Sequence, residues 1–263
     1  MIEPHRARRR FGQNFLVDGN IIRKIVAAIA PRPGEAIVEI GPGLAALTRP
    51  VLDACGRLHV VEIDRDLIAR LKSDFGDGRL TIHEGDALKF DFATLGGDLR
   101  VIGNLPYNIS TPLLFHLSEH AEGIRDMTFM LQKEVVDRMV AEPATEAYGR
   151  LSVMLQYRHR MEKLFDVPPG AFRPAPKVTS AIVRLVPRPT SALQARDAAL
   201  LGRIVTAAFG QRRKTLRNTL REFVGEAELA ALGIDAGLRG ERLSLDEFMR
   251  IANHCAGRGE DGA

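Results

Sequence analysis

Between about residues 37 and 186, short runs of aliphatic and β-branched residues alternate with stretches whose apolar positions recur every three or four residues. "AIVEI" precedes "LAALTRPVLDA", "LHVVEID" precedes "RDLIARLKSDF", and "LTIHEGD" follows. "LRVIGN" precedes "TPLLFHLSEH", and "DMTFMLQ" precedes "KEVVDRMVAE". This rhythm predicts an α/β fold, a mainly parallel sheet with helices on both faces. After "LSVMLQY", the runs "HRMEKLFDV" and "SAIVRLV" have no long helix between them, which predicts an antiparallel strand at the sheet edge. Composition then shifts at "VPRPTSALQAR", a linker of prolines and small polar residues. Beyond it "DAALLGRIVTAAFG", "RRKTLRNTLREFV", "AELAALG" and "SLDEFMRIANHC" all read as helices, with Ser244 and Asp246 as start signals. Two domains are expected, 1–189 and 190–263, the second all-helical with a disordered "AGRGEDGA" tail.

Composition excludes more than it assigns. A chain of 263 residues, 45% hydrophobic and 27% charged, suits a globular protein with a large core. No apolar run reaches the length of a membrane span, and the Arg-rich start lacks the apolar stretch of a secretory signal, so a cytoplasmic location is expected. Cys55 and Cys255, with no CxxC and no paired His, argue against a disulfide framework or a zinc site. Cys55 reads as a small buried hydrophobe in a helix.

The net charge of +4 is modest, but it is unevenly placed. Residues 1–24 hold Arg6, Arg8, Arg9, Arg10, Arg23 and Lys24 against two acids. "QRRKTLRNTLRE" gathers Arg212, Arg213, Lys214, Arg217 and Arg221. Arg213, Arg217 and Arg221 are spaced by four, so on a helix they would share a face. Either cluster alone is equally a solvated face; two together favour a polyanionic partner such as nucleic acid.

The chemistry sits at the strand ends. In "VEIGPGLAAL", Gly41 and Gly43 stand between a strand and a helix, where a backbone can turn sharply and let a ligand approach. Gly41, Gly43 and Ala46 satisfy the loose pattern G-x-G-x-x-G/A, and Glu62 ends the next strand, placed to accept from ribose hydroxyls. These features imply an adenosine-containing cofactor without separating NAD from S-adenosylmethionine. A pyrophosphate wants donors and positive charge at the loop, whereas S-adenosylmethionine presents an ammonium and a sulfonium. Glu39 before the loop and Asp86 in "HEGDAL" suit the second, although Asp86 alone also suits a helix N-cap. "NLPY" then supplies a nucleobase site. The Asn104 side-chain oxygen and a carbonyl such as that of Leu105 can accept both hydrogens of an aromatic amine. Pro106 stiffens the turn, and the Tyr107 ring offers a platform for a purine, worth ~1–3 kcal/mol. No metal is expected, because a sulfonium is already a good leaving group.

"FGQNFLVD", "EIGPGLAALT", "EGDAL", "NLPYNIS", "FRPAPKVTSAIVRL" and "FGQRRKTLRNTL", in this order from about residue 11 to 250, resemble the ribosomal RNA adenine dimethyltransferases of the KsgA type. The resemblance implies a class I methyltransferase, Rossmann-like fold with a mainly parallel seven-stranded sheet and a small helical C-terminal domain. It implies dimethylation of two adjacent adenosines near the 3′ end of small-subunit (16S) ribosomal RNA, within a pre-ribosomal particle, by a monomer. Carried over, the cofactor contacts are Asn14, Leu16, Gly41, Glu62, Asp86 and Asn104. An aromatic from "FRPAPKVTS" faces the NLPY ring in such enzymes, so Phe172 is expected to sandwich the target base with Tyr107. Core filling is the alternative for Phe172. The basic clusters, Arg8, Arg9 and Arg10 with Arg212, Arg213, Lys214, Arg217 and Arg221, would hold the RNA backbone. This chain has Ala45 where the family usually has Gly, which is expected to weaken cofactor binding at most. Two rival readings remain: a large-subunit RNA or DNA adenine methyltransferase, and a ribosome-assembly factor whose RNA binding outweighs its catalysis.

Overall fold

The computed structural model describes residues 14–76, 78–211 and 213–260. Its strands are β1 (Phe15–Leu16), β2 (Ile37–Ile40), β3 (Leu58–Glu62), β4 (Leu80–Glu84), β5 (Leu99–Asn104), β6 (Ile124–Gln132), β7 (His159–Val167), β8 (Phe172–Arg173) and β9 (Ser180–Pro187). The helices are α1 (Gly19–Ile29), α2 (Thr48–Cys55), α3 (Arg65–Asp74), α4 (Ser110–Glu119), α5 (Lys133–Met139), α6 (Arg150–Arg158), α7 (Ala198–Gly210), α8 (Leu216–Thr219), α9 (Glu226–Ala231) and α10 (Leu245–Glu260).

The chain divides into two units. The first takes residues up to 136 and 161–187, the second 137–160 and 188 onward. The first contains the seven-stranded sheet, in the order β4-β3-β2-β5-β6-β9-β7. β2, β3, β4, β5 and β6 are parallel neighbours, so their carboxyl ends lie along one edge. The sheet is Rossmann-like, and its strand order reverses between β2 and β5. In open α/β sheets that switch point opens a crevice for ligands.

The antiparallel strand is not at the edge. β9 pairs antiparallel with β6, Met130 opposite Ile182, and β7 takes the outer place. Burial explains this. The residues of "SAIVRL" are buried or nearly so on both faces, whereas β7 alternates between buried and exposed as an edge strand does. Helix starts follow local chemistry. The Asp18 carboxylate accepts the N–H groups of Asn20 and Ile21 at 2.8 and 3.1 Å, opening α1, whose Ile25 and Ile29 enter the core. Cys55 ends α2, 3% exposed, and its thiol donates to the Arg57 carbonyl.

The helical unit begins earlier than composition suggests, because its core needs the 137–160 segment. Tyr148, Val153 and Tyr157 pack with Leu201, Ile204, Leu216, Phe248 and Ile251. The Tyr148 hydroxyl donates to the Leu243 carbonyl at 2.9 Å. Ser244 and Glu247 form a reciprocal cap at the start of α10. That helix runs to Glu260, through most of the stretch expected to be disordered; 261–263 lie outside the described residues.

Candidate active site

A cavity of about 220 Å³ opens at the switch point, lined from Asn14–Leu16, the loop after β2, the ends of β3 and β4, and the turn after β5. Asn14, Leu16, Gly41, Glu62, Asp86, Asn104, Leu105, Pro106 and Tyr107 all line it. Gly41 and Gly43 have φ of +66° and +58°, the left-handed region where a side chain is strained. A Cβ on Gly43 would also come within 3.3 Å of the Phe15 ring, which lines the same cavity. Beneath the loop, a Cβ on Gly103 would lie 2.6 Å from the Ile40 carbonyl oxygen, so only glycine lets β5 approach β2 here.

Two buried carboxylates define the electrostatics. Glu39 is 2% exposed, and its Oε2 accepts from the Thr48 hydroxyl at 2.6 Å. Burial pushes its pKa up to about 7; the Thr48 bond opposes this and the nearby Glu62 charge adds to it. Glu62 Oε1 accepts the amides of Ile63 and Asp64, both at 2.9 Å. Burial still raises its pKa above the ordinary value, although the amides of Asp64, Ile63 and Gly43 favour the anion. Among the described residues no Lys or Arg pairs with either acid. Either a proton or a ligand that brings its own positive charge would relieve these acids. Asp86 accepts the Leu88 amide at 3.0 Å, which fixes the turn after β4. Ile63, 49% exposed, adds apolar lining on the same wall, as Phe15 does. Neither stood out in the sequence, where a lone apolar residue at a strand end carries no signal.

The NLPY turn is held at several points. Asn104 Nδ2 donates to the Asn14 carbonyl at 3.1 Å, and Oδ1 is the acceptor end of that amide. The Leu105 amide donates to the Met130 carbonyl, and the Pro106 carbonyl accepts from Ile109. The Tyr107 hydroxyl meets Ser180 Oγ at 2.8 Å, and the Ser110 hydroxyl donates to the Tyr107 carbonyl at 3.1 Å. Burial raises the Tyr107 pKa while the Ser180 bond lowers it, so the phenol stays neutral near pH 7.

Phe172 does not reach this cavity. It is 0% exposed and sits in the core with Leu16, Ile182 and Val167. Its register opposite Leu16 in the β1–β8 pair accompanies this inward position, so it fills the core. Ala45 takes φ +65°, which explains why glycine is favoured there, and its methyl joins the core rather than the cavity lining.

The basic residues divide. Arg8, Arg9, Arg10 and Arg212 lie outside the described residues. Arg213, Lys214, Arg217 and Arg221 are exposed on the helical unit, but not along one helix face. α8 is only four residues long, started at Thr215 and closed at Leu220, so the four-residue spacing never becomes a stripe. Lys214 and Arg221 border a concavity with Gln211, Asn218 and Thr219, and Arg217 pairs with Glu226 at 3.7 Å. Among the described residues no cluster of three His, Cys, Asp or Glu could hold a metal, and no helix is long and apolar enough to cross a membrane.

Comparison with known proteins agrees with this geometry. The model of the family described as ribosomal RNA adenine dimethylase matches residues 4–256. The chain is similar to a ribosomal RNA small subunit methyltransferase A from Aromatoleum aromaticum, 72% identical over 257 residues, covering 98% of this chain and 97% of the relative. A protein of the same name from Thiobacillus denitrificans is 61% identical over 254 residues, covering 97% and 100%. Among solved structures, a dimethyladenosine transferase from Plasmodium falciparum shares the fold, with TM-score 0.81 at 24% identity over 93% of this chain and 98% of that one. The 23S rRNA methyltransferase ErmE is similar at TM-score 0.71 and 26% identity, covering 92% and 100%.

Proposed function

The chain belongs to the ribosomal RNA adenine dimethylase family, and on that premise we propose how its cavity works and what it acts upon. The enzyme dimethylates adenine in 16S ribosomal RNA using S-adenosylmethionine. Its targets are two adjacent adenosines near the 3′ end, within a maturing small-subunit particle, met by a cytoplasmic monomer.

The residues fit the cofactor. Glu39 and Glu62 are buried acids without a cationic side-chain partner among the described residues, in a cavity entered by a glycine loop. Glu62 would accept from ribose hydroxyls and Glu39 would balance the ligand's charge, with Asp86, Asn14 and Leu16 closing the walls. When bound, S-adenosylmethionine supplies a methyl carbon activated by its sulfonium. The chain's own task is then to present a weak nucleophile. The adenine lone pair is delocalised into the ring. Asn104 Oδ1 and the Leu105 carbonyl accept its two N–H groups and favour the pyramidal nitrogen that forms as the methyl arrives. Pro106 keeps these acceptors preorganised, and Tyr107 stacks on the base. The base must first leave its helix, costing a few kcal/mol. Arg8, Arg9, Arg10, Arg212, Arg213, Lys214, Arg217 and Arg221 hold the phosphates while it does so, without reading sequence.

The observation that carries this reading is the Asn104–Asn14 bond, which engages the amide's donor end and leaves its oxygen as an acceptor in the cavity that Glu39 and Glu62 also line. Asn104→Ala should remain folded and lose transfer by about 10²–10³, the scale of removing one preorganised stabilising group. The measurement is incorporation of labelled methyl into unmethylated small ribosomal subunits. Near-normal incorporation would remove the role given to the amide.

A further inference from the structure

We propose that Ser180 is a positioning residue for methyl transfer, its hydroxyl fixing the Tyr107 ring as the platform for the base. The inference rests on the reading of Tyr107 given above. Ser180 Oγ lies 2.8 Å from the phenol oxygen, and Ser180 is 0% exposed. It begins the inner strand β9, directly opposite Gln132 of β6, and the neighbouring Thr179 carbonyl accepts the Lys133 amide at 2.9 Å. Its hydroxyl is thus mounted on a paired strand. Tyr107 instead sits on a turn, where its ring would be free to tilt at the far end. The Ser110 hydroxyl holds the backbone end of Tyr107 through its carbonyl, and Ser180 holds the other end. A ring held at both ends keeps its long axis fixed and cannot swing away from the base stacked on it.

The bond is the one polar contact of the Tyr107 hydroxyl among the described residues, and it ends on a fully buried partner. Without the Tyr107 hydroxyl, the fully buried Ser180 hydroxyl loses a partner that water does not replace; without Ser180, the phenol loses its anchor. The "FRPAPKVTS" segment therefore serves the site through its last residue, while its first fills the core. A tilted ring should slow the chemical step more than it weakens binding, since the misplacement is felt where the amine meets the methyl carbon.

The test uses the full-length enzyme, unmethylated small ribosomal subunits and labelled S-adenosylmethionine, with Ser180→Ala, Tyr107→Phe, their combination and Tyr107→Ala. Thermal melting establishes that each variant is folded, and calorimetry gives cofactor affinity. Ser180→Ala and Tyr107→Phe should each lower kcat about tenfold, with KM for the subunit and cofactor affinity within about twofold. The combined variant should be no slower than the slower single one, because both changes break the same bond. Wild-type kcat in Ser180→Ala, or losses that multiply in the combination, would overturn the assignment. Tyr107→Ala separates the two claims. If it transfers normally, the platform itself is wrong and the inference falls with it; if it is slow while Ser180→Ala is fast, only Ser180 is misassigned.

Discussion

At the amino-terminal side of the sheet, Arg100 reaches Glu35 at 2.8 Å and Asp126 at 3.0 Å, and donates to the carbonyls of Ile29 and Ala30 that end α1. Arg125 adds bonds to Glu35 and Asp98. Burial alone would raise the Glu35 pKa, but the bonds and charge of Arg100 and Arg125 hold it below its ordinary value. At the opposite edge, Glu39 and Glu62 are more deeply buried than Glu35 and have no such partners among the described residues; burial wins and both pKa values rise. The same residue type is paired from within just before β2 begins and left without a cationic side-chain partner, among the described residues, where β2 and β3 end. One edge is held together by its own charges; the other, on the function proposed, meets a cationic cofactor.

The largest effect should come from the paired edge. Arg100→Met strands Glu35 and Asp126 without their buried partner, so unfolding in urea should show a loss of about 3–5 kcal/mol. The folded fraction should bind cofactor as before; unchanged stability would erase the contrast.

Next comes the unpaired edge. Below about pH 4.5, Glu39 is protonated both folded and unfolded. Between there and about pH 7 the folded chain keeps a proton that the unfolded chain has released, so stability falls as pH rises. The full loss is about 3 kcal/mol. Glu39→Gln should remove that slope, leaving the ligand-free protein more stable than the parent at pH 8 and with weaker cofactor binding. In the parent, binding below pH 7 should release protons, measurable by calorimetry in buffers of different ionisation enthalpy.

The smallest effect tests strain. Ala45→Gly relieves a left-handed alanine, worth about 1 kcal/mol, partly offset by the freedom glycine gains when unfolded. Melting should rise by about 1–3 °C. Cofactor affinity should not change, because the methyl faces the core.

Most of the cavity was legible because its residues mark backbone events: Gly41, Glu62, Asp86 and Asn104 each stand at a strand end. What misled was long-range register. Phe172 lies in a proline-stiffened segment that suggests display, but pairing with Leu16 places it in the core. The spacing of Arg213, Arg217 and Arg221 fits a helix face, yet Thr215 starts a new short helix inside it. Ser180 and Gly103 gave no sign, since a lone Ser or Gly in a strand gains meaning only from the strand laid beside it.

The chain leaves the sheet unit at residue 137 and returns at 161, carrying Tyr148 and Tyr157 into the core of the helical unit. A proteolytic or genetic cut at residue 190 would therefore not release an intact module; the C-terminal piece would lack two of its aromatic core residues. Evolution faces the same obstacle, since grafting this helical module onto another scaffold means moving two separate stretches of gene together.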